Sequence, residues 1–442
     1  MQMLDAARNA FRLPDVRRRL LYTLFILLVY QFATHVAVPG VNRVALASLV
    51  NGSGAGLINV LNLLSGGAVS RFSVFAMGVY PYITAQIILQ LLTGVIPQLE
   101  AISREPGGQD KLNQYTYYLA IPMGLLQAIG QINILRTLST QGDVLPGFGS
   151  DFMVTVSVLI TMTAGTMIAI WLGELITEQG IGNGLSLIIF AGIVAQVPNR
   201  IGTLLASGGS YVAFDVAAFV ILVVAATGAI IYLQEGVRRI PVQYGKRVRG
   251  SKQYGGGKTH IPLRVNSAGM IPLIFAQAIV TFPAIIAGIF FPGTPFGTSL
   301  QNTFGTQSGF VYWLVEFVLV VGFTFFYTDV MVQNQHLADN LQKQGGFIPG
   351  IRPGKRTNDY ITAVTRRITI VGALFLGIVA ILPGLMIIVE YIFTQRTDIT
   401  STNNPAMIIT GAGLIIVVGV VIDTMRQLEA QLVMRNYEGF MR

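Results

Sequence analysis

The chain has 442 residues, of which 52% are hydrophobic and 11% are charged, and its mean hydropathy is +0.63. Soluble domains carry about 25% charged residues, so this composition predicts a membrane-embedded protein and excludes a large soluble domain. The chain contains no cysteine, which excludes disulfides and thiolate metal sites. Its three histidines, His35, His260 and His336, lie too far apart in sequence to suggest a metal site, and no cofactor is expected.

Ten apolar intervals are long enough to cross a bilayer as helices, which takes roughly 20 residues each. They predict an all-α membrane protein with ten transmembrane helices. The intervals are 20–38, 72–99, 112–135, 152–172, 181–197, 212–233, 265–291, 310–327, 368–389 and 406–422.

Lys and Arg alternate between the gaps that separate these intervals, being concentrated at both termini and in every second gap. Cytoplasmic loops retain basic residues, so both termini are predicted to be cytoplasmic. Five intervals precede Arg200 and five follow it, which predicts two inverted halves, 1–205 and 206–442, of opposite orientation. The remaining gaps hold only Arg43, Arg71, Arg136, Arg200 and Arg396.

Prolines in two of the intervals interrupt their apolar runs. Pro81 lies in 72–99, and Pro272 and Pro283 lie in 265–291. Proline inside a spanning helix removes a backbone hydrogen bond and bends the helix. The sequence therefore predicts kinked helices at these positions.

Residues 44–70 match neither a span nor an ordinary loop, because they are uncharged yet interrupted by Asn, Gly and Ser at 51–54 and 65–67. Between the interruptions, 58–64 could form two helical turns, too few to cross a membrane. The segment is either an external loop or a re-entrant segment, which must be buried in protein or line a cavity. Composition alone favours the loop.

Few ionisable residues lie inside the predicted spans. Only Glu316 lies well within one, whereas Asp329 and Glu390 fall at span ends. Ion-coupled transporters need intramembrane carboxylates or histidines, and Glu316 could equally hydrogen-bond to a neighbouring helix. The sequence contains no Walker loop, paired catalytic carboxylates or nucleophile–base set, so it does not indicate an enzyme. If the protein moves a substrate, another molecule is expected to supply the energy.

Two gaps, 234–264 and 328–367, hold eight and six basic residues, more than orientation alone requires. One interpretation is attraction to anionic lipids, at about 1 kcal/mol per basic residue. The other is docking of an anionic partner, either ribosomal RNA or an acidic protein. Aromatic and apolar residues interspersed among the charges favour docking; they are Tyr244, Tyr254, Phe347 and Ile348.

Five segments, in order, resemble the SecY family of pore-forming translocase subunits, which includes the eukaryotic translocon alpha-subunits. The resemblance runs from about residue 13 to the C-terminal YEGF. The segments are LLSGGAVSRFSVFAMGVYPYITAQIILQLL (63–92), TEQGIGNGLSLIIFAGIVA (177–195), THIPLRVNSAGMIPLIFA (259–276), GFIPGIRPGKRT (346–357) and the run 413–437.

The resemblance implies a pore closed by two features. About residues 58–71 would fold back as a short re-entrant plug helix, which changes the preferred interpretation of that segment. A ring of isoleucines would form the constriction, a stiff apolar wall that excludes water and ions. The plug positions include Leu61, Leu64, Ser65, Gly66, Gly67 and Arg71. The ring positions are Ile83, Ile87, Ile189, Ile193, Ile274 and Ile416.

The resemblance also implies a mechanism and partners. The halves would part between the second and third spans and the seventh and eighth, so that preproteins thread the centre and signal peptides leave sideways into lipid. The partners would be the small membrane subunits SecE and SecG, with the SecA ATPase or a translating ribosome as the driver, in a plasma (inner) membrane. The driver would dock on the basic loops, including Arg247, Arg249, Lys258, Arg352, Lys355 and Arg356.

Two other classes of protein share part of this pattern. An inverted-repeat secondary transporter has the same topology and would need a small-substrate site, for which Glu316 is the candidate. A scaffold subunit of a larger membrane complex would share the basic loops and need no pore.

Overall fold

The structure is a computed structural model, and its elements are predominantly helical. It describes residues 13–50, 65, 67–105, 107–139, 142–206, 212–244, 247–249, 252–254, 258–291, 294–305, 309–334, 337–385, 388 and 411–440. The helices are α1 Pro14–Ala33, α2 Arg43–Val50, α3 Tyr80–Val95, α4 Pro97–Arg104, α5 Gly108–Leu138, α6 Phe152–Gln179, α7 Gly184–Ala206, α8 Val212–Glu235, α9 Ile271–Phe290, α10 Pro295–Gly305, α11 Phe310–Asn334, α12 Leu337–Lys343, α13 Lys355–Ala380 and α14 Gly411–Phe440. The strands are β1 Val237–Tyr244, β2 Arg247–Arg249, β3 Lys252–Tyr254, β4 Lys258–Arg264 and β5 Gly346–Phe347.

Each of the ten predicted intervals overlaps at least one of these helices. Within the described residues, three helices are both long and apolar enough to cross a membrane: Phe152–Gln179, Phe310–Met331 and Lys355–Ala380. The pair Tyr80–Gly94 and Pro97–Ser103 would make a fourth if it counts as one span, but it bends by 105°. The helical part of the predicted span 72–99 begins at Tyr80 and is interrupted after Val95.

The prolines expected to kink two spans instead begin them. Pro81 and Pro272 occupy the first turns of α3 and α9, where a missing N–H costs nothing because that group has no intrahelical partner. The prediction of kinks at these two residues was wrong. Pro283 does lie inside α9, as predicted.

The uncharged segment 44–70 begins within the helix α2, Arg43–Val50. The two predicted helical turns at 58–64 lie outside the described residues. From residue 67 the chain runs in turns towards α3. Two backbone hydrogen bonds attach it to the stretch that follows α1: Val38 N–H donates to the Phe72 carbonyl at 3.0 Å, and Val74 N–H donates to the Val36 carbonyl at 2.9 Å.

Three of the apolar clusters hold most of the long helices together. One contains Leu46 and Ile132 from the first half of the chain, and another contains Val320 and Ile415 from the second half. The third lies between the halves and is described below. The described members of the first two clusters come from one side of residue 205 each, and those of the third come from both sides.

A small sheet joins the two basic loops, which the sequence did not predict. Strand β1 pairs antiparallel with β4, and its end pairs with β5 from the other basic loop, in the order β4-β1-β5. Beneath the sheet lies an apolar core that contains Ile240, Leu263, Leu341 and Ile361. We call the assembly of β1, β4, β5, α12 and the start of α13 the basic sheet unit.

Candidate pore and docking surface

The isoleucines predicted to form a ring converge from four helices. The buried side chains of Ile189 and Ile193 on α7, Ile274 on α9 and Ile416 on α14 belong to one hydrophobic cluster, and Ile83 on α3 packs against it. We call this the isoleucine cluster. The sixth residue, Ile87, is buried but is not among the cluster's described members.

The isoleucine cluster joins the two halves of the chain. Ile189 and Ile193 lie four residues apart, on one face of α7, and meet Ile274 and Ile416 of the second half. Described members of this cluster are aliphatic or aromatic and carry no charge. Aliphatic side chains such as these isoleucines disfavour water and ions, because they offer no group to replace the hydration of an ion.

The segment expected to be the plug touches this cluster. Ala68 is completely buried and belongs to it. Gly67 lies against α7, since a Cβ atom there would be 3.4 Å from Gln196 Cγ. Ser65 is buried, whereas Arg71 is exposed. The other plug positions, Leu61, Leu64 and Gly66, lie outside the described residues.

Helix α3, which carries Ile83 and Ile87, has polar ties that sequence reasoning missed. Gln127 of α5 donates to Thr84 Oγ1 at 3.0 Å. Across the halves, Gln90 donates to the hydroxyl of Tyr327 on α11 at 3.3 Å. The only signal for these contacts in the sequence was the presence of uncharged polar residues inside apolar helices.

Glu316 is 2% exposed and lies on α11. Within the described residues its Oε2 atom has no hydrogen-bond partner. The described part of the chain also holds no group of three or more His, Asp or Glu side chains that could bind a metal ion. A single buried carboxyl group does not by itself form a binding site for a coupling ion.

The basic sheet unit presents part of its charge in a defined loop. Arg352, Lys355 and Arg356 are all exposed. The loop is fixed where the Thr357 hydroxyl donates to the Arg352 carbonyl at 3.0 Å. Gly354 has φ +98°, a backbone conformation that a side chain would strain.

Lys355 and Arg356 occupy the first turn of α13, which contains no acidic residue. The N-terminus of a helix already carries partial positive charge, so cations there are electrostatically unfavourable for the helix. The same arrangement increases attraction for anions. This surface is therefore suited to an anionic partner.

The other predicted docking residues lie on the strands. Arg247 pairs with Tyr254 and Arg249 with Lys252 in the β2–β3 hairpin, and Lys258 pairs with Gln243 at the end of the sheet. Two of the residues taken as docking anchors instead contribute to the core. Ile348 is buried, and Tyr244 packs against the same core, because the sheet needs an apolar underside.

A family model described as SecY matches residues 73–425 of the chain. The chain belongs to the SecY family. Proteins named protein translocase subunit SecY are similar to it along the whole of both chains: that of Streptomyces galbus is 40% identical over 452 residues, and that of Halalkalibacterium halodurans is 41% identical over 451 residues.

Solved structures share the SecY fold with this chain. A structure described as that of a protein conducting channel has 17% identity and a TM-score of 0.61, covering 94% of this chain and 93% of its own. Sec61 in the canine ribosome–channel complex has 16% identity, a TM-score of 0.61 and the same coverage. Neither the relatives nor these structures give support to a secondary transporter.

Proposed function

We propose that this protein is the protein-conducting channel of a general secretory pathway, threading unfolded preproteins across the membrane and releasing signal peptides sideways into lipid. The observation that carries the proposal is similarity over the full length to translocase subunits at about 40% identity. The isoleucine cluster supports it, since an apolar junction between two halves can seal a pore and yield when they part. No chemical step is required of the chain itself.

The proposed architecture is ten transmembrane helices in two inverted halves, 1–205 and 206–442. Helices α3 and α5 of the first half would face α9 and α11 of the second across a lateral opening. The plug, about 58–71, would lie against the isoleucine ring, a placement supported by the burial of Ala68 in that cluster. The six isoleucines would exclude water and ions while the channel is closed.

The proposed driver is a SecA-type ATPase or a translating ribosome, bound to the basic sheet unit. The exposed charges of Arg352, Lys355 and Arg356 at a helix N-terminus support this. Structural neighbours include Sec61 in a ribosome–channel complex and the yeast Ssh1 complex bound to the ribosome. The strand residues Arg247, Arg249 and Lys258 would extend the surface. SecE, SecG and anionic lipids are the other proposed partners.

The proposed location is a plasma (inner) membrane with both termini in the cytoplasm. Because the chain has no cysteine, a single introduced cysteine is a unique reporter of sidedness. A cysteine at Gly256 or Gly345 should react only from the cytoplasmic side, and one at Gly208 or Ser299 only from outside. External labelling at position 256 would overturn the orientation and the docking surface with it.

Reconstitution tests the function directly. The purified chain is placed in vesicles with SecE and SecG, and SecA, ATP and a secretory precursor are added. We expect the precursor to become protected from protease inside the vesicles. A scaffold subunit without a pore would give no protection, and a transporter would move a small solute without needing SecA.

A further inference from the structure

The sheet of the basic sheet unit ends in an edge strand. Strand β4, Lys258–Arg264, pairs with β1 on one side, and among the described residues no strand pairs with its other side. An edge strand leaves a row of main-chain N–H and C=O groups that can pair with a further strand. Thr259, His260, Pro262 and Arg264 are exposed, so solvent reaches this strand.

The register of the pairing shows which main-chain groups of β4 point outward. Just beyond the strand, Val265 N–H donates to the Gly236 carbonyl at 2.9 Å. These two residues continue the register that places Arg264 opposite Val237. In an antiparallel pair, hydrogen-bonded and non-hydrogen-bonded residue pairs alternate. The main-chain groups of Arg264, and of every second residue before it, therefore point away from β1.

Every second residue of β4 thus belongs to the outer edge, namely Lys258, His260, Pro262 and Arg264. Each of them has a carbonyl group there, and all but Pro262 have an N–H group. The Ser267 hydroxyl donates to the Arg264 carbonyl at 2.9 Å, which closes the edge at the end nearest α9. The open part of the edge therefore runs from Lys258 to Pro262 and offers both donors and acceptors.

Pro262 lies where proline disturbs the sheet least. Its nitrogen points outward in this register, so the pairing of β4 with β1 loses no hydrogen bond. The same proline removes one donor from the outer edge, which limits pairing with unrelated chains. Because His260 lies two residues before Pro262, in the same register, a proline at position 260 should also leave the sheet intact.

The exposed face of the sheet is basic. Arg239 of β1 lies opposite Pro262, and both Arg239 and Arg264 are exposed. Successive side chains of a strand point to opposite faces, and Ile240 and Leu263 contribute to the core on the other face. A strand added to β4 would therefore lie beside positive charge, which favours an acidic segment.

We propose that the outer edge of β4 binds an extended acidic segment of the driver ATPase, which adds to the sheet as a further strand. The inference rests on the proposed function and deepens it, because it names the kind of segment that binds and the way in which it binds. In such β-strand addition, main-chain hydrogen bonds supply the affinity. The basic face then selects the charge of the segment.

The test changes the main chain of the edge. His260→Pro removes an outward N–H group, and His260→Ala, which keeps that group, is the matched reference. Pro262→Ala adds the N–H group that the edge lacks. Each variant is placed in vesicles with SecE and SecG, and the affinity for added SecA is measured by titration at fixed salt.

We expect His260→Pro to bind SecA about fivefold more weakly than His260→Ala, the effect of losing one main-chain hydrogen bond. Pro262→Ala should bind SecA about fivefold more tightly than wild type, because one such bond is gained. Arg264→Gln should weaken binding more at low salt than at high salt, because salt screens the attraction between exposed charges.

Equal affinities of His260→Pro and His260→Ala would overturn the proposal, as would a Pro262→Ala variant that binds no more tightly than wild type. The second comparison decides the question even if His260→Pro disturbs the sheet. If His260→Pro instead changes the self-association of the chain, the edge pairs two copies of it and the proposal is again overturned. If wild-type vesicles neither bind SecA nor protect a precursor, the proposed function fails, which is a different outcome.

Discussion

The isoleucine cluster and the basic sheet unit are assembled in different ways. The cluster takes residues from both halves, including Ile189 of the first and Ile416 of the second. The basic sheet unit lies wholly within the second half and is held by strand pairing over its own core. Moving one half relative to the other must therefore reshape the cluster, whereas the unit can stay intact. The proposed seal of the channel and the proposed binding surface for the driver therefore lie in separate parts of the molecule.

The largest expected effect is at the driver surface. Arg352→Glu reverses an exposed charge that we assign to partner contact, so precursor-stimulated ATP hydrolysis by added SecA should be lost. Folding should be unaffected, since an exposed charge contributes under roughly 1 kcal/mol to stability. The matched control is Lys343→Glu, the same change at another exposed residue of the unit.

If the surface only attracts anionic lipid, both variants should lose the same fraction of precursor-stimulated ATP hydrolysis. Docking in a defined geometry predicts that Arg352→Glu loses far more than Lys343→Glu. Wild-type stimulation by Arg352→Glu would remove this loop from the driver's contact surface.

The next effect concerns the seal. Ile416→Asn or Ile274→Asn places an amide in a buried apolar site, which lowers the cost of wetting it. Export of precursors with defective signals should rise by about tenfold, as a change of about 1.4 kcal/mol in the closed state would give. Ion conductance of vesicles should rise as well. Ile416→Val is the control, because it keeps the site apolar, and it should stay close to wild type.

Deleting residues 61–69 tests the plug. The deletion removes Ala68 from the isoleucine cluster, so the assembled channel should leak ions more than wild type. The six isoleucines remain, so the leak should be smaller than that of Ile416→Asn. Conductance equal to wild type would show that this segment has no part in the seal.

The smallest effect expected is that of Arg352→Lys. Lysine keeps the charge but lacks the planar guanidinium that binds a carboxylate through two parallel hydrogen bonds. Stimulated ATP hydrolysis should fall measurably without being lost. Full activity would favour simple charge attraction over a specific pairing.

Much of the helical fold was predictable because apolar intervals and basic gaps are local signals. The sheet was not, because the pairing of Gln243 with Phe347 joins loops that are distant in the chain, and strand register depends on the partner. The kinks predicted at Pro81 and Pro272 were wrong for a related reason. Proline can begin a helix or bend one, and the outcome depends on where the helix starts, which the sequence does not give.

The candidate site was predictable in part. Nothing in the periodicity of the sequence distinguishes Ile274 from a lipid-facing isoleucine, and only the resemblance to the SecY family selected it. Ile348 was taken as an exposed anchor because it lies among basic residues, yet it is buried. The contact of Gln90 with Tyr327 could not be predicted, since it depends on how two distant helices meet.

The separation of sealing from driving is tested most directly by measuring ion conductance and precursor-stimulated ATP hydrolysis on the same vesicles, with SecE, SecG and SecA present. We predict that Ile416→Asn raises conductance and retains stimulated hydrolysis, whereas Arg352→Glu loses stimulated hydrolysis and leaves conductance at the wild-type level. If both variants change both quantities together, the two regions do not act separately and the account is contradicted.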